Sequence, residues 1–252
     1  MRFTVVIPAR YQSQRLPGKP LLEIAGKPMI RHVWERAGQA GAYAVVIATD
    51  DSRIFDACET FGAHVVMTSA EHSSGTDRIA EVSRTLDWDD DELIVNVQGD
   101  EPLIPPPVIA QVAGLLQGRP DAQMATLCTP IHDLDEYMDP NVVKLVARED
   151  GAALYFSRAP IPWLRETAPA GLASQTRSRD ALRHIGLYAY RAGALRALAD
   201  TPACPLETIE RLEQLRALWL GYTILTDIAD EIPGPGVDTE AQLQEVRRLL
   251  GP

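Results

Sequence analysis

Four short apolar runs mark the first hundred positions: FTVVIP at 3–8, AVVIAT at 44–49, AHVVM at 63–67 and LIVNV at 93–97. Each is rich in β-branched residues and too continuous for a half-exposed strand, so the pattern predicts strands buried on both faces. Helical spacing fills the gaps. In PMIRHVWERAGQAG (28–41), Pro28 suits a first helical turn, Ile30, Val33, Trp34 and Ala37 share one face, and Gly38 or Gly41 can end the helix. Weaker forms of the same pattern occupy 52–61, 76–87 and 105–117. Strand and helix in alternation predict an α/β fold with a mostly parallel central sheet flanked by helices.

Beyond residue 120 the alternation loosens into MATLCTP, VVKLVA and HIGLYAY, which read as strands. The stretch LETIERLEQLRALWL (206–220) reads as one amphipathic helix, with Ile209, Leu212, Leu215, Leu218 and Trp219 on a common face. Residues 164–181 show little apolar periodicity and are expected to form a mobile loop whose three arginines are solvated. At the end, DTEAQLQEVRRLL reads as a capped helix, with Thr239 and Gln242 placed for a capping box. The region from about 120 to 190 is expected to form a smaller lobe too thin to close its own core, which points to a dimer; an ordinary extension of the central sheet is the alternative.

The 252 residues carry a net charge of -11, which argues against nonspecific binding to nucleic acid or an anionic membrane but leaves room for one local anion pocket. Cys58, Cys128 and Cys204 form an odd set without metal-site spacing, so reduced and mostly buried thiols are expected. No apolar run reaches the roughly 18 residues of a membrane span, and MRFTVVIPAR lacks the long apolar stretch and cleavage site of a secretory leader. A cytoplasmic location is the expectation.

Against that acidic background, the segment IPARYQSQRLPGKP (7–20) gathers Arg10, Arg15 and Lys19 directly after the first predicted strand. Ligands of open parallel sheets sit beyond the carboxyl ends of the strands, where this loop must lie. Gly18 permits close backbone approach, Pro17 and Pro20 limit flexibility, and the three cations can surround a polyphosphate without helical geometry. Neither GKP copy has the Ser or Thr that a Walker loop requires, and no dinucleotide fingerprint G-x-G-x-x-G is present. A loop of merely solvated cations is the bland alternative.

Two carboxylates are candidate metal ligands. In QGDEP, Gln98 and Asp100 leave the sheet on the same edge as the basic loop, provided both strands are parallel. Asp238 lies in PGPGVDTEAQ, where it is either a second hard ligand for magnesium or an acid favoured by the dipole of the helix that follows. Only pairing with Asp100 separates those readings. HSSGTDR (72–78) combines hydroxyls, Gly75 and Arg78 at a helix start, suited equally to an anion, a base edge or an ordinary cap by Ser74 or Thr76. Nothing suggests covalent catalysis by Ser or Cys; the pattern is that of charge handling.

Together, IPARYQSQRLPGKPL, HSSGTDR, NVQGDEP, YFSRAPIPW, RHIGLYAYR, PLETIERLEQLR and PGPGVDT resemble the 3-deoxy-D-manno-octulosonate (KDO) cytidylyltransferase family, nearly from end to end. The first motif is shared more loosely by sugar nucleotidyltransferases in general. The resemblance implies a Rossmann-like nucleotidyltransferase fold spanning 1–252 as a single domain, with a dimerisation lobe, and a reaction of CTP with KDO that gives CMP-KDO and pyrophosphate for lipopolysaccharide assembly. It also implies a magnesium requirement and a homodimer. Carried over by position, Arg10, Arg15 and Lys19 hold the triphosphate, with the Ala9 backbone near the nucleotide and Ser74 and Gly75 on the cytosine side. Arg78, Gln98, His184, Tyr188 and Glu213 line the sugar-acid pocket. Asp100 and Asp238 match the metal-binding positions, and Lys19, Arg10, Asp100 and Asp238 carry the catalysis. A related acid, sialic acid or an amino-substituted KDO, is the neighbouring alternative, and a noncatalytic nucleotide-binding regulator a more distant one.

Overall fold

The computed structural model describes residues 1–12, 15–72, 74–165 and 181–251. Along the chain come β1 (Thr4–Ala9), β2 (Glu23–Ile24), β3 (Lys27–Pro28), α1 (Met29–Gln39), β4 (Ala44–Thr49), α2 (Ser52–Glu59), β5 (His64–Met67), α3 (Gly75–Thr85), β6 (Leu93–Asn96) and α4 (Pro106–Leu116). Then follow β7 (Met124–Pro130), α5 (Leu134–Met138), β8 (Lys144–Ala147), β9 (Ala153–Ser157), β10 (Leu182–Arg191), α6 (Ala192–Ala199), α7 (Pro205–Glu210), α8 (Gln214–Trp219), β11 (Ile224–Ile228) and α9 (Glu240–Leu250). Two compact units result: 1–114 with 187–200 and 230–252, and 115–186 with 201–229. The lobe expected near 120–190 overlaps the second. The loop expected at 164–181 falls almost wholly outside the described residues.

In the first unit β6, β1, β4 and β5 are parallel neighbours, and the later half of β10 lies antiparallel to β6 with Tyr188 opposite Asn96. All six residues of β1 are buried, as a strand covered on both faces requires. The expectation of double burial fails at β5. Only Val66 is buried there, because β5 is the sheet's edge and pairs with β4 alone. Helix α1 buries Met29, Ile30, Val33 and Ala37, whereas Trp34 sits at the margin against Phe61, ring centroids 5.3 Å apart.

Two features bring remote parts of this unit to one edge. Parallel pairing of β1 and β6 puts their carboxyl ends side by side, and Gly99 allows the close approach: a Cβ there would stand 2.8 Å from the Pro8 carbonyl oxygen. Separately, Leu16, Ile24, Met29, Val237, Leu243 and Val246 form one apolar cluster, tying the loop after β1 to the segment before α9. That segment runs against 100–103, with the Val237 N–H donating to the Asp100 carbonyl at 2.9 Å. Glycine is needed on the way, since a Cβ on Gly234 would lie 2.8 Å from Leu103.

In the second unit β11 pairs parallel with β7, and β8 pairs antiparallel with β9 and with the start of β10. Here the expected single helix over 206–220 is corrected. It breaks into α7 and α8 at Arg211, which is left-handed at φ 53. The Arg158 guanidinium donates to the Glu210 carbonyl at 2.7 Å, while the Glu210 carboxylate accepts from Ser157 Oγ and the Arg158 N–H. Tertiary partners therefore take the acceptor at the end of α7. The expected apolar face dissolves accordingly: Leu212 and Leu215 are buried, but Ile209 is 78% and Trp219 60% exposed.

Candidate active site

At the carboxyl edge of β1 and β6 lies a recess of about 330 Å³, lined by Pro8, Ala9, Arg10, Gln12, Lys19, Pro20, Ser74, Gly75, Gln98, Gly99 and Asp100. The elements explain the convergence. β1 delivers Ala9 and Arg10, the turn after β6 delivers Gln98 and Asp100, and the first turn of α3 delivers Ser74 and Gly75. Lys19 opens a short 3-10 turn, preceded by Gly18 in the left-handed region at φ 68.

Lys19 is the centre of charge. Its Nζ donates to Asp100 Oδ2 at 2.6 Å and to Asp238 Oδ1 at 3.1 Å, and Arg15 Nη2 lies 3.4 Å from Asp238 Oδ2. The two carboxylates thus meet around one cation, the Lys19 ammonium. Burial of Lys19 works against its charge, but attraction and hydrogen bonding to Asp100, then to Asp238, reverse that and hold its pKa above the ordinary lysine value. Asp238 also stands just before a capped helix, because Thr239 Oγ1 accepts from the Gln242 N–H. Helix entry fixes its backbone, and its carboxylate reaches Lys19.

Ser74 caps α3 and also lines the recess. Its Oγ accepts from the Asp77 N–H at 3.1 Å, and Asp77 accepts in return from the Ser74 N–H, closing a capping box at the mouth of the recess. Gly75 packs on β1, where a Cβ would meet the Pro8 ring at 3.4 Å.

The residues expected on the sugar side belong to both units. Gln98 lines the recess. Arg78 is wholly buried and does not; Nη2 donates to Asp50 Oδ2 at 2.6 Å, Nη1 to the Thr68 hydroxyl, and Nε has no partner among the described residues. Tyr188 is half-buried on β10, its ring 5.9 Å from that of Tyr190. His184 and Glu213 belong to the second unit. There the His184 ring sits 3.0 Å from Thr126 Oγ1 and edge-on to Phe156, and burial pushes its pKa down to about 3, so it is neutral at physiological pH. Glu213 precedes the first turn of α8 and is half-buried.

Sequence reasoning missed Pro8, Gln12, Pro20 and Gly99 as lining residues. Gln12 and Pro20 lie inside the quoted basic segment and Gly99 inside QGDEP, so their placement was available from the strand-end rule alone. Among the described residues no three His, Cys, Asp or Glu side chains cluster to hold a metal, and none forms a helix long and apolar enough to cross a membrane. All three cysteines are free and buried.

Residues 4–225 match the family described as Cytidylyltransferase. The 3-deoxy-manno-octulosonate cytidylyltransferase of Hahella chejuensis is 56% identical over 248 residues, covering 98% of this chain and 97% of the relative. The enzyme of the same name from Thioalkalivibrio sulfidiphilus is 57% identical over 251 residues, 99% of each chain. Among solved structures, a CMP:2-keto-3-deoxy-manno-octonic acid synthetase complexed with CTP superposes at a TM-score of 0.89 with 44% identity, over 99% of this chain and 98% of that one.

Proposed function

From the premise that this chain belongs to the cytidylyltransferase family, we propose that it transfers CMP from CTP to the 2-hydroxyl of KDO, releasing pyrophosphate and supplying CMP-KDO for lipopolysaccharide assembly. The observation that carries this reading is the meeting of Lys19, Asp100 and Asp238 beside a recess lined by Arg10, Ser74, Gly75 and Gln98.

The chemistry requires a carboxylate-bearing sugar to approach a highly anionic triphosphate. The anomeric hydroxyl oxygen forms a bond to the α-phosphorus, the bond from that phosphorus to the bridging oxygen of the β-phosphate breaks, and the hydroxyl proton passes to water. Alignment and charge neutralisation are the protein's tasks. Arg10, Arg15 and Lys19 hold the triphosphate, with the Ala9 backbone alongside. Ser74 and Gly75 face the base and Gln98 the sugar acid, while Arg78 is buried against Asp50 and Thr68 outside the recess lining. Tyr188 is the further sugar-side residue of the first unit.

The donor set fits magnesium. Asp100 and Asp238 are hard oxygen donors that already converge on one cation, and magnesium commonly fills its remaining positions with phosphate and water, so a third side-chain ligand is not needed. Asp100 and Asp238 would hold the ion, which would supply neutralisation of phosphate charge and a lower pKa for the attacking hydroxyl. Lys19 offsets charge that develops on the transferred phosphate.

The enzyme works as a cytoplasmic homodimer. Buried, free cysteines support a reducing compartment, and the exposed Leu154, Trp163, Ile209 and Trp219, all of the second unit, support association through that unit. Sedimentation measures the latter. The central test is a pyrophosphate-release panel crossing four nucleoside triphosphates with KDO, sialic acid and an amino-substituted KDO, with and without magnesium. Release confined to CTP with KDO and magnesium is expected; faster release with another acid would reassign the substrate, and none with any acid would reject the transferase reading.

A further inference from the structure

Tyr11 and Arg53 lie outside the lining of the recess, yet the contacts around Tyr11 connect to it on both sides. Tyr11 stands between Arg10 and Gln12, and Gly18 immediately precedes Lys19; those three flanking residues all line the recess. The Gly18 N–H donates to the Tyr11 carbonyl at 3.0 Å, closing the basic segment into a loop. The Tyr11 ring then packs on Gly18 so closely that a Cβ there would lie 3.2 Å from Cε2, Cζ and Oη. Over the ring lies the Arg53 guanidinium, 3.3 Å from the centroid. That guanidinium is itself held flat by Asp51, with Nε to Oδ1 at 2.9 Å and Nη2 to Oδ2 at 2.6 Å, while Asp51 also caps α2.

We propose that Tyr11 and Arg53 are positioning residues that brace the basic loop, presetting Arg10 and Lys19 for the triphosphate. The inference rests on the reading of Arg10, Arg15 and Lys19 as triphosphate ligands. Arg15 and Lys19 are paired with Asp238 and Asp100 in the empty site, and the backbone on which they stand, if left unbraced, must be ordered when the nucleotide arrives. A loop ordered beforehand avoids that cost. Arg53 suits the task because a planar guanidinium stacks on an aromatic face, which an ammonium does less well. Its pairing with Asp51 leaves the brace neutral, so it orders the loop without adding net charge.

Two roles for Arg53 give opposite signs in one variant. Were Arg53 a phosphate ligand, Asp51→Asn would free its charge and tighten CTP. As a brace, Arg53 loses its hold on the ring in that variant, and CTP weakens, while Asn still caps α2. CTP affinity is read by calorimetry without the sugar acid, alongside kcat, KM and thermal melting. Arg53→Met and Tyr11→Leu are expected to raise Kd and KM for CTP about 2- to 5-fold, with kcat and melting near wild type. Tyr11→Phe keeps the ring and is expected to restore wild-type affinity. The double variant Tyr11→Leu with Arg53→Met is expected to be no weaker than the worse single one. Tighter CTP binding in Asp51→Asn, or unchanged affinity in Tyr11→Leu, overturns the brace. Wild-type protein that does not bind CTP overturns the functional reading on which it stands.

Discussion

Two lysines of this chain are drawn in from solvent, and they are used in opposite ways. Lys144, in the second unit, is wholly buried and donates to three main-chain carbonyls, of Asp139, Val142 and Arg158, at 2.8, 2.6 and 2.7 Å. All three ammonium hydrogens are spent on fixed backbone, and burial draws its pKa below the ordinary value. Lys19, in the first unit, instead meets the side chains of Asp100 and Asp238, which remain 30% and 49% exposed. Carboxylates at an open edge can exchange one cation for another; carbonyls inside a fold cannot. The number of bonds does not distinguish a structural lysine from a functional one. The mobility and charge of its partners do.

Substitution of each lysine is the strongest way to break this contrast. Lys19→Met is expected to lower kcat on the order of a hundred- to thousand-fold, with a urea midpoint lowered less than in Lys144→Met because its partners stay in contact with solvent. Lys144→Met strands three carbonyls and is expected to cost on the order of 3 kcal/mol of stability, read as a lower urea midpoint with turnover preserved in the folded protein. Equal losses of turnover in both variants would erase the distinction.

Alkaline pH sharpens it further. The folded pKa of Lys144 is depressed, so between that value and roughly pH 10.4 the unfolded chain binds more protons, and stability rises with pH. The folded pKa of Lys19 is raised, so its contribution is complete below roughly pH 10.4 and disappears as pH climbs through the folded value. Urea midpoints from pH 8 upward, compared with wild type, should therefore lose the rising component in Lys144→Met and the falling one in Lys19→Met. The smallest effect belongs to Arg15. Its pair with Asp238 is 66% and 49% exposed, so Arg15→Ala should leave the midpoint where it is and weaken CTP only several-fold, in calorimetry at low salt.

The same contrast explains what could be read beforehand. β1, β4 and β6 were legible because double burial writes itself as uninterrupted apolar residues, and a parallel sheet then fixes where Arg10, Lys19 and Asp100 must emerge. The segment carrying Asp238 gave weaker notice: its glycines mark close approach, but the cluster of Leu16 with Val237 that brings it home depends on partners far apart in sequence. In the second unit local pattern misled. Nothing in TIERLEQ signals a break, since neither Gly nor Pro is present, and the break at Arg211 comes from Arg158 bonding the Glu210 carbonyl. Arg78 was equally opaque, for its burial depends on Asp50 and Thr68 rather than on its own helix.

Whether Asp100 and Asp238 act as one site is most directly measured by kcat/KM in a cycle of Asp100→Asn, Asp238→Asn and the double variant, at saturating magnesium. Two ligands of one ion should be strongly non-additive, the double variant losing about as much as the worse single one. Losses that multiply would mean that the two carboxylates serve separate purposes, and a common metal-assisted transfer would be contradicted.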